Sequence, residues 1–192
     1  MWEHDIPKVS GDGWEATVIA GEFCGCKGIE PNAMSWAADP AHHVSIVRIS
    51  MKAGTELVLK PTEAATRNLY ITEYDAVVEG KPIHSLSRVK LNPKMEATVV
   101  MGDHDSDVWL LEGDPIGEVQ KNYGPVVLGT YAEVRAAVNV VREKQESDWP
   151  WQYVNQKQPL GTHRFFKDSE GNVSEPNGPA PNEHELPPTK QD

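Results

Sequence analysis

The chain has little cysteine and little phenylalanine, fewer basic than acidic residues, and no long apolar run. Its two cysteines, Cys24 and Cys26, stand one residue apart in GEFCGCKG. No second pair completes a four-ligand zinc site, and a disulfide across a single residue would be strained, so both are expected as reduced thiols in a loop. Acidic residues outnumber basic ones by 29 to 18, a formal charge of −11. That excess repels phosphate backbones and anionic membranes, so direct nucleic-acid binding is not expected; binding to another protein is left open. No apolar run approaches the ~18 residues of a membrane span. Nor does a charged-then-apolar leader open the sequence. The expectation is a cytoplasmic chain, or a nuclear one in a eukaryote, with no membrane partner. A serine nucleophile elbow, a phosphate-cradling glycine loop and a pair of catalytic carboxylates are all missing as well.

What is present reads as β-structure. At 192 residues the chain is long enough for one packed domain with tails. WEATVIAGEF, VSIVRISM, TELVLK, RNLYITEY, AVVEG, SRVKLN, EATVVMG and DVWLLEG are short, β-prone and bounded by turn residues. Val44 and Ile46 alternate with Val47, Ile49 and Met51 on opposite faces. Such a run of short strands favours an antiparallel sandwich or barrel over a βαβ fold. VEGKPI reads as a hairpin turn with Gly80 at positive φ. One helix stands out over 131–146, opened by a Thr130-x-x-Glu133 capping box. Val134, Ala137, Val138 and Val141 share one face, which makes it a surface helix expected to pack on the barrel. Residues 149–166 carry Trp149, Trp151, Phe165 and Phe166, candidates for docking on the barrel or on another subunit. Residues 167–192 form a polar, Pro-rich tail expected to be flexible.

The block LLEGDPIGEVQKNYGPVVLGTYAEVRAAV resembles the second half of the pirin family. The positions that carry the likeness are Leu110, Leu111, Gly113, Pro115, Gly117, Glu118, Tyr123, Gly124, Pro125, Val127 and Thr130. Upstream ATVIAGEF resembles the start of that domain, and WPW with RFFKDSEGNV is similar to the ends of bacterial pirin-like chains. WEHDIPKV is similar to the family's interdomain linker, so residues 1–13 are expected to be linker-like and 14–148 a barrel. The resemblance implies an all-β cupin (RmlC-like) antiparallel barrel or jelly roll, with one C-terminal surface helix and an extended tail. It also implies a family of tandem barrels. The first barrel binds iron or another divalent metal through three histidines and a glutamate, and supports quercetin dioxygenase activity and transcriptional co-regulator roles.

Laid on the cupin pattern G-x5-H-x-H-x3,4-E-x6-G, Gly54 takes the first glycine, Lys60 and Thr62 the histidine places, Thr66 or Arg67 the glutamate place and Tyr74 the closing glycine. Pro93, Lys94 and Met95 open the second pattern and put Thr98 at its histidine place. Lys60 and Arg67 would repel Fe²⁺. The seven histidines do not rebuild a site: His42 and His43 would point apart on an extended segment, and GDHDSD around His104 lacks the long loop and distal glutamate of an EF-hand. His4, His84, His163 and His184 are dispersed. The expectation is therefore no catalytic residue, no metal ligand and no cofactor in this chain. Lys60, Thr62, Arg67, Tyr70 and Thr98 remain as candidate ligand contacts at a barrel mouth, unless carboxylates such as Glu56, Glu63 or Glu73 neutralise them. Three functions follow: a non-catalytic module for domain or subunit packing, partnered by a second copy or by a metal-bearing cupin domain; a metal-dependent quercetin dioxygenase or a fragment of one; or a metal-free small-molecule-binding cupin.

Overall fold

The computed structural model describes residues 5–147, 166–167 and 173–174. They fall into two compact units, residues 1–117 and 118–192.

In the first unit, strands β1 (Lys8–Gly11), β2 (Trp14–Ala20), β5 (Ser45–Met51), β12 (Ser106–Gly113), β7 (Thr66–Ile71) and β10 (Ser87–Lys90) form a six-stranded sheet in that order. A four-stranded sheet has the order β6 (Glu56–Leu59), β11 (Ala97–Met101), β8 (Ala76–Val78), β9 (Lys81–Ile83). All pairings are antiparallel. A short hairpin, β3 (Glu22–Phe23) with β4 (Cys26–Lys27), follows β2. Residues 8–11, expected in a linker-like stretch, are the edge strand of the larger sheet, paired with β2. Their weak apolar alternation hid them, because an edge strand buries little.

Strict alternation builds the core. The inward residues of the large sheet stack in cross-strand rows: Ala16, Ile49, Val108 and Ile71 in one, Val18, Val47, Leu110, Leu69 and Val89 in the next. Leu57, Leu59, Ala76, Val78, Ala97, Val99 and Met101 from the smaller sheet close over them in a single apolar cluster. Aliphatic side chains thus fill the space between the sheets, as face-to-face sheet packing requires.

Two hairpins show why particular turn residues are present. Glu79 and Gly80 lie between β8 and β9 with φ of 50° and 71°, and Cys24 and Gly25 lie between β3 and β4 with φ of 49° and 78°. Two successive positive φ values make type I′ turns, whose twist matches that of the flanking strands. Both thiols are free, as expected, and Cys24 sits on the turn itself.

In the second unit, β13 (Lys121–Tyr123) and β14 (Val126–Leu128) form a hairpin around Gly124–Pro125, with φ of 56° at the glycine, and helix α1 (Tyr131–Ser147) packs on it. Backbone pairing also joins β15 (Phe166–Lys167) to β16 (Val173–Ser174). The capping box forms as read: the Thr130 N–H donates to Glu133 Oε2 at 2.9 Å, and the Glu133 N–H donates to Thr130 Oγ1 at 3.2 Å. Thr130→Ala is expected to lower the stability of the helix by about 1 kcal/mol, read as faster amide exchange in its first turn. An unchanged exchange rate there would show that the cap contributes nothing. Only Val134 of the apolar face is buried, Ala137 and Val138 are half-buried, and Val141 is exposed. The helix therefore buries far less than an amphipathic reading suggests. Among the described residues no helix is long and apolar enough to cross a membrane.

Candidate functional site

The inward rows of the large sheet end in a polar one. Ser45 on β5, Glu112 on β12 and Arg67 on β7 stand directly across from one another and face inward, one row beyond Val47, Leu110 and Leu69. Arg67 Nε lies 2.6 Å from Glu112 Oε1, with the two side chains 3% and 9% exposed. The contact is an ion pair whose N–H is not aligned on the oxygen as a hydrogen bond would be, while Arg67 Nη1 donates to the Met95 carbonyl at 3.5 Å. The Ser45 hydroxyl is buried beside them without a hydrogen-bond partner among the described residues. Burial pushes the Glu112 carboxyl above its usual range, and the Arg67 guanidinium works against that rise.

Just beyond this row, His43 Nδ1 meets Asp114 Oδ2 at 2.8 Å, and the Ala65 N–H donates to Asp114 Oδ1 at 2.5 Å. These two donors, His43 first, hold the Asp114 carboxyl below the usual range. Trp36 stacks on His42, ring centroids 3.3 Å apart, and its indole N–H donates to the Asp114 carbonyl. His42 Nδ1 lies 2.7 Å from the Trp36 carbonyl. His42 ends a 3₁₀ turn and His43 takes a left-handed conformation with φ of 51°, so this segment is not the extended one expected.

Of the five residues proposed as mouth contacts, only Arg67 faces the interior. On β6 the inward positions are Leu57 and Leu59, which leaves Lys60 pointing to solvent, 75% exposed, with Nζ 2.8 Å from Glu96 Oε1. Thr62 lies past the end of that strand, its N–H donating to the Pro93 carbonyl and its Oγ1 accepting from the Ala64 N–H. Tyr70 and Thr98 occupy outward positions of β7 and β11, and the Thr98 N–H donates to Glu79 Oε1. Lys60 and Thr98 each stand one residue from an inward position, and with a period of two that single step turns a side chain to the opposite face. The neutralising carboxylates are Glu96 and Glu112, not Glu56, Glu63 or Glu73; Glu63 pairs with Lys94 at 2.9 Å. Trp149, Trp151 and Phe165 lie outside the described residues, as does the side chain of Phe166.

A divalent metal does not fit this end of the barrel. One carboxylate faces it, already engaged by a guanidinium, and the inward places beside it are Leu59, Leu69 and Ala97. Among the described residues no group of three or more His, Cys, Asp or Glu side chains could hold a metal ion. The GDHDSD turn is equally committed: Asp105 accepts from Lys52 Nζ and the Ala53 N–H, Asp107 accepts from Arg48 Nε and Ser50 Oγ, and the His104 ring stacks on Tyr74. His84 pairs with Asp75 at 2.9 Å.

Comparison with known proteins agrees with this architecture. The model of the pirin C-terminal cupin domain matches residues 46–145, just over half of the chain. The chain belongs to the pirin C-terminal cupin family. A pirin-like protein from Solanum lycopersicum is 27% identical over 147 residues, covering 71% of this chain and 46% of that protein. Two crystal structures of quercetin 2,3-dioxygenase from Acinetobacter baumannii share the fold. One has a TM-score of 0.62 at 23% identity, covering 77% of this chain and 49% of that one. The other has a TM-score of 0.61 at 17% identity, covering 83% and 52%. The pirin C-terminal cupin thus spans about half the length of these relatives.

Proposed function

We propose that this pirin C-terminal cupin acts in packing and protein interaction rather than in catalysis, and that its first partner is a second copy of itself. The observation that carries the reading is the apolar surface of the helix–hairpin unit. Tyr123 is 67% exposed, Tyr131 63%, Val119 66% and Val140 56%. A groove of about 530 Å³ runs beside α1, with Val134 and Val138 along its length and Arg135 and Arg142 among the residues that line it. Surface of this kind tends to find a neighbour. The arginines suit an acidic partner, and the chain's own charge is −11. The barrel interior supports the same reading, because the end where a cupin would present ligands is closed by the Arg67–Glu112 pair.

Light scattering of the full chain is expected to show a dimer or a larger species, and Tyr131→Asp with Val140→Glu is expected to return it to a monomer. Metal analysis and a quercetin assay with and without added iron belong in the same experiment. A monomer at high concentration would overturn the packing role, and stoichiometric iron with quercetin turnover would replace it with the dioxygenase reading.

A further inference from the structure

The opposite end of the same barrel carries a cavity of about 430 Å³, within the usual size range of small-molecule sites. Trp14 and Met51 supply its apolar wall. Ser106 opens β12 on the inward face, opposite Met51, and is 7% exposed. Its hydroxyl is buried without a hydrogen-bond partner among the described residues, and Ser106 is one of the residues that line this cavity. An unpaired buried hydroxyl is costly, so one at the wall of a cavity gains by pairing with a polar group.

The charge of the cavity selects the ligand. Four carboxylates line it, those of Glu15, Glu73, Asp105 and Asp107, against one cation, Lys52. Three are occupied: Glu15 by Lys8 at 3.0 Å, Asp105 by Lys52 at 2.7 Å, and Asp107 by Arg48 at 2.8 Å. Glu73 has no hydrogen-bond or ion-pair partner among the described residues. An anion would meet repulsion here. A metal ion would lack converging ligands, since no three carboxylates come together among the described residues.

We infer that this cavity binds a small organic amine with an apolar body. Its ammonium donates to the Glu73 carboxylate and the Ser106 hydroxyl, while its hydrocarbon part lies against Trp14 and Met51. This site is separate from the Arg67–Glu112 end and does not rest on the packing role proposed above.

Calorimetric titration of the full chain tests it, with benzylamine as the probe and benzyl alcohol and benzoate as the neutral and anionic controls. Benzylamine is expected to bind saturably and both controls at least about tenfold more weakly, the loss that follows removal of a charge-assisted hydrogen bond. Glu73→Gln is expected to weaken the amine by a similar factor, and Lys60→Gln, on the remote outer surface, to leave it unchanged. Ser106→Ala is expected to weaken the amine while leaving the ligand-free melting temperature equal or higher, because an unsatisfied hydroxyl has been removed. The inference is overturned if millimolar benzylamine shows no saturation, if benzyl alcohol binds as well as benzylamine, or if Glu73→Gln retains full affinity.

Discussion

Replacing Arg67 by methionine is expected to destabilise the protein by about 3–5 kcal/mol, the cost of leaving a buried charge without its partner. The pair meets at 2.6 Å with side chains only 3% and 9% exposed, so water cannot take over the role of the guanidinium. Glu112→Leu alone should cost a comparable amount, because it strands the arginine. The double replacement Arg67→Met with Glu112→Leu should recover most of the loss, since an apolar pair of similar volume removes both desolvation costs at once. Urea unfolding of the four proteins closes the cycle, and a coupling below about 1 kcal/mol would mean that the pair behaves like an exposed one. Burial raises the Glu112 carboxyl above its ordinary range even with Arg67 present. Without Arg67 nothing opposes that rise, so the folded variant takes up a proton before the unfolded chain does. The deficit of Arg67→Met is therefore largest near neutral pH and shrinks as pH falls through the raised pKa of Glu112.

This ion pair was half legible in the sequence. Arg67 could be placed near a ligand position of the cupin pattern, but its partner lies 45 residues further on, in a strand that touches β7 only through the sheet register. No local spacing announces such a contact. The outward turn of Lys60 is hidden from a motif alignment for a related reason. The segment around Pro61 offers two ways of laying a period-two pattern on the pleat, and the choice is made by Leu57 and Leu59 entering the core. Ser106 belongs by sequence to the GDHDSD turn, and nothing in one sequence says that it opens the inward face of β12 or that its hydroxyl is buried there.

The strands themselves were written plainly. Each of the longer ones alternates side chains with a period of two, and the hairpin at Glu79–Gly80 and the Thr130–Glu133 box are local signals that tertiary packing had no reason to override. The short elements were the ones missed. β1 is an edge, and β13 and β14 sit inside the glycine-rich block whose Gly124–Pro125 pair reads as a turn without saying what it joins. Helix α1 shows the limit of periodicity: the stripe of Val134, Ala137, Val138 and Val141 is real, but a stripe states which face is apolar, not that it is covered.

Truncating Leu69 to alanine is expected to cost about 2–5 kcal/mol, the range for removing a fully buried leucine from a core that cannot collapse around the gap. Leu69 is 0% exposed and lies mid-row between Leu110 and Val89, with the rows of Arg67 and Ile71 on either side. Lys60→Ala, nine residues earlier, removes a contact that is 75% exposed at the lysine and 56% at Glu96, and is expected to leave the unfolding midpoint unchanged. Chemical denaturation of both variants decides which face of the segment 54–75 the fold depends on. If Lys60 proved as costly as Leu69, the ammonium would have to lie inside the barrel and the alternation assigned to β6 would be shifted by one residue. If Leu69→Ala cost less than about 1 kcal/mol, the interior would be able to rearrange, and the aliphatic side chains would not pack the space between the sheets as closely as their burial implies.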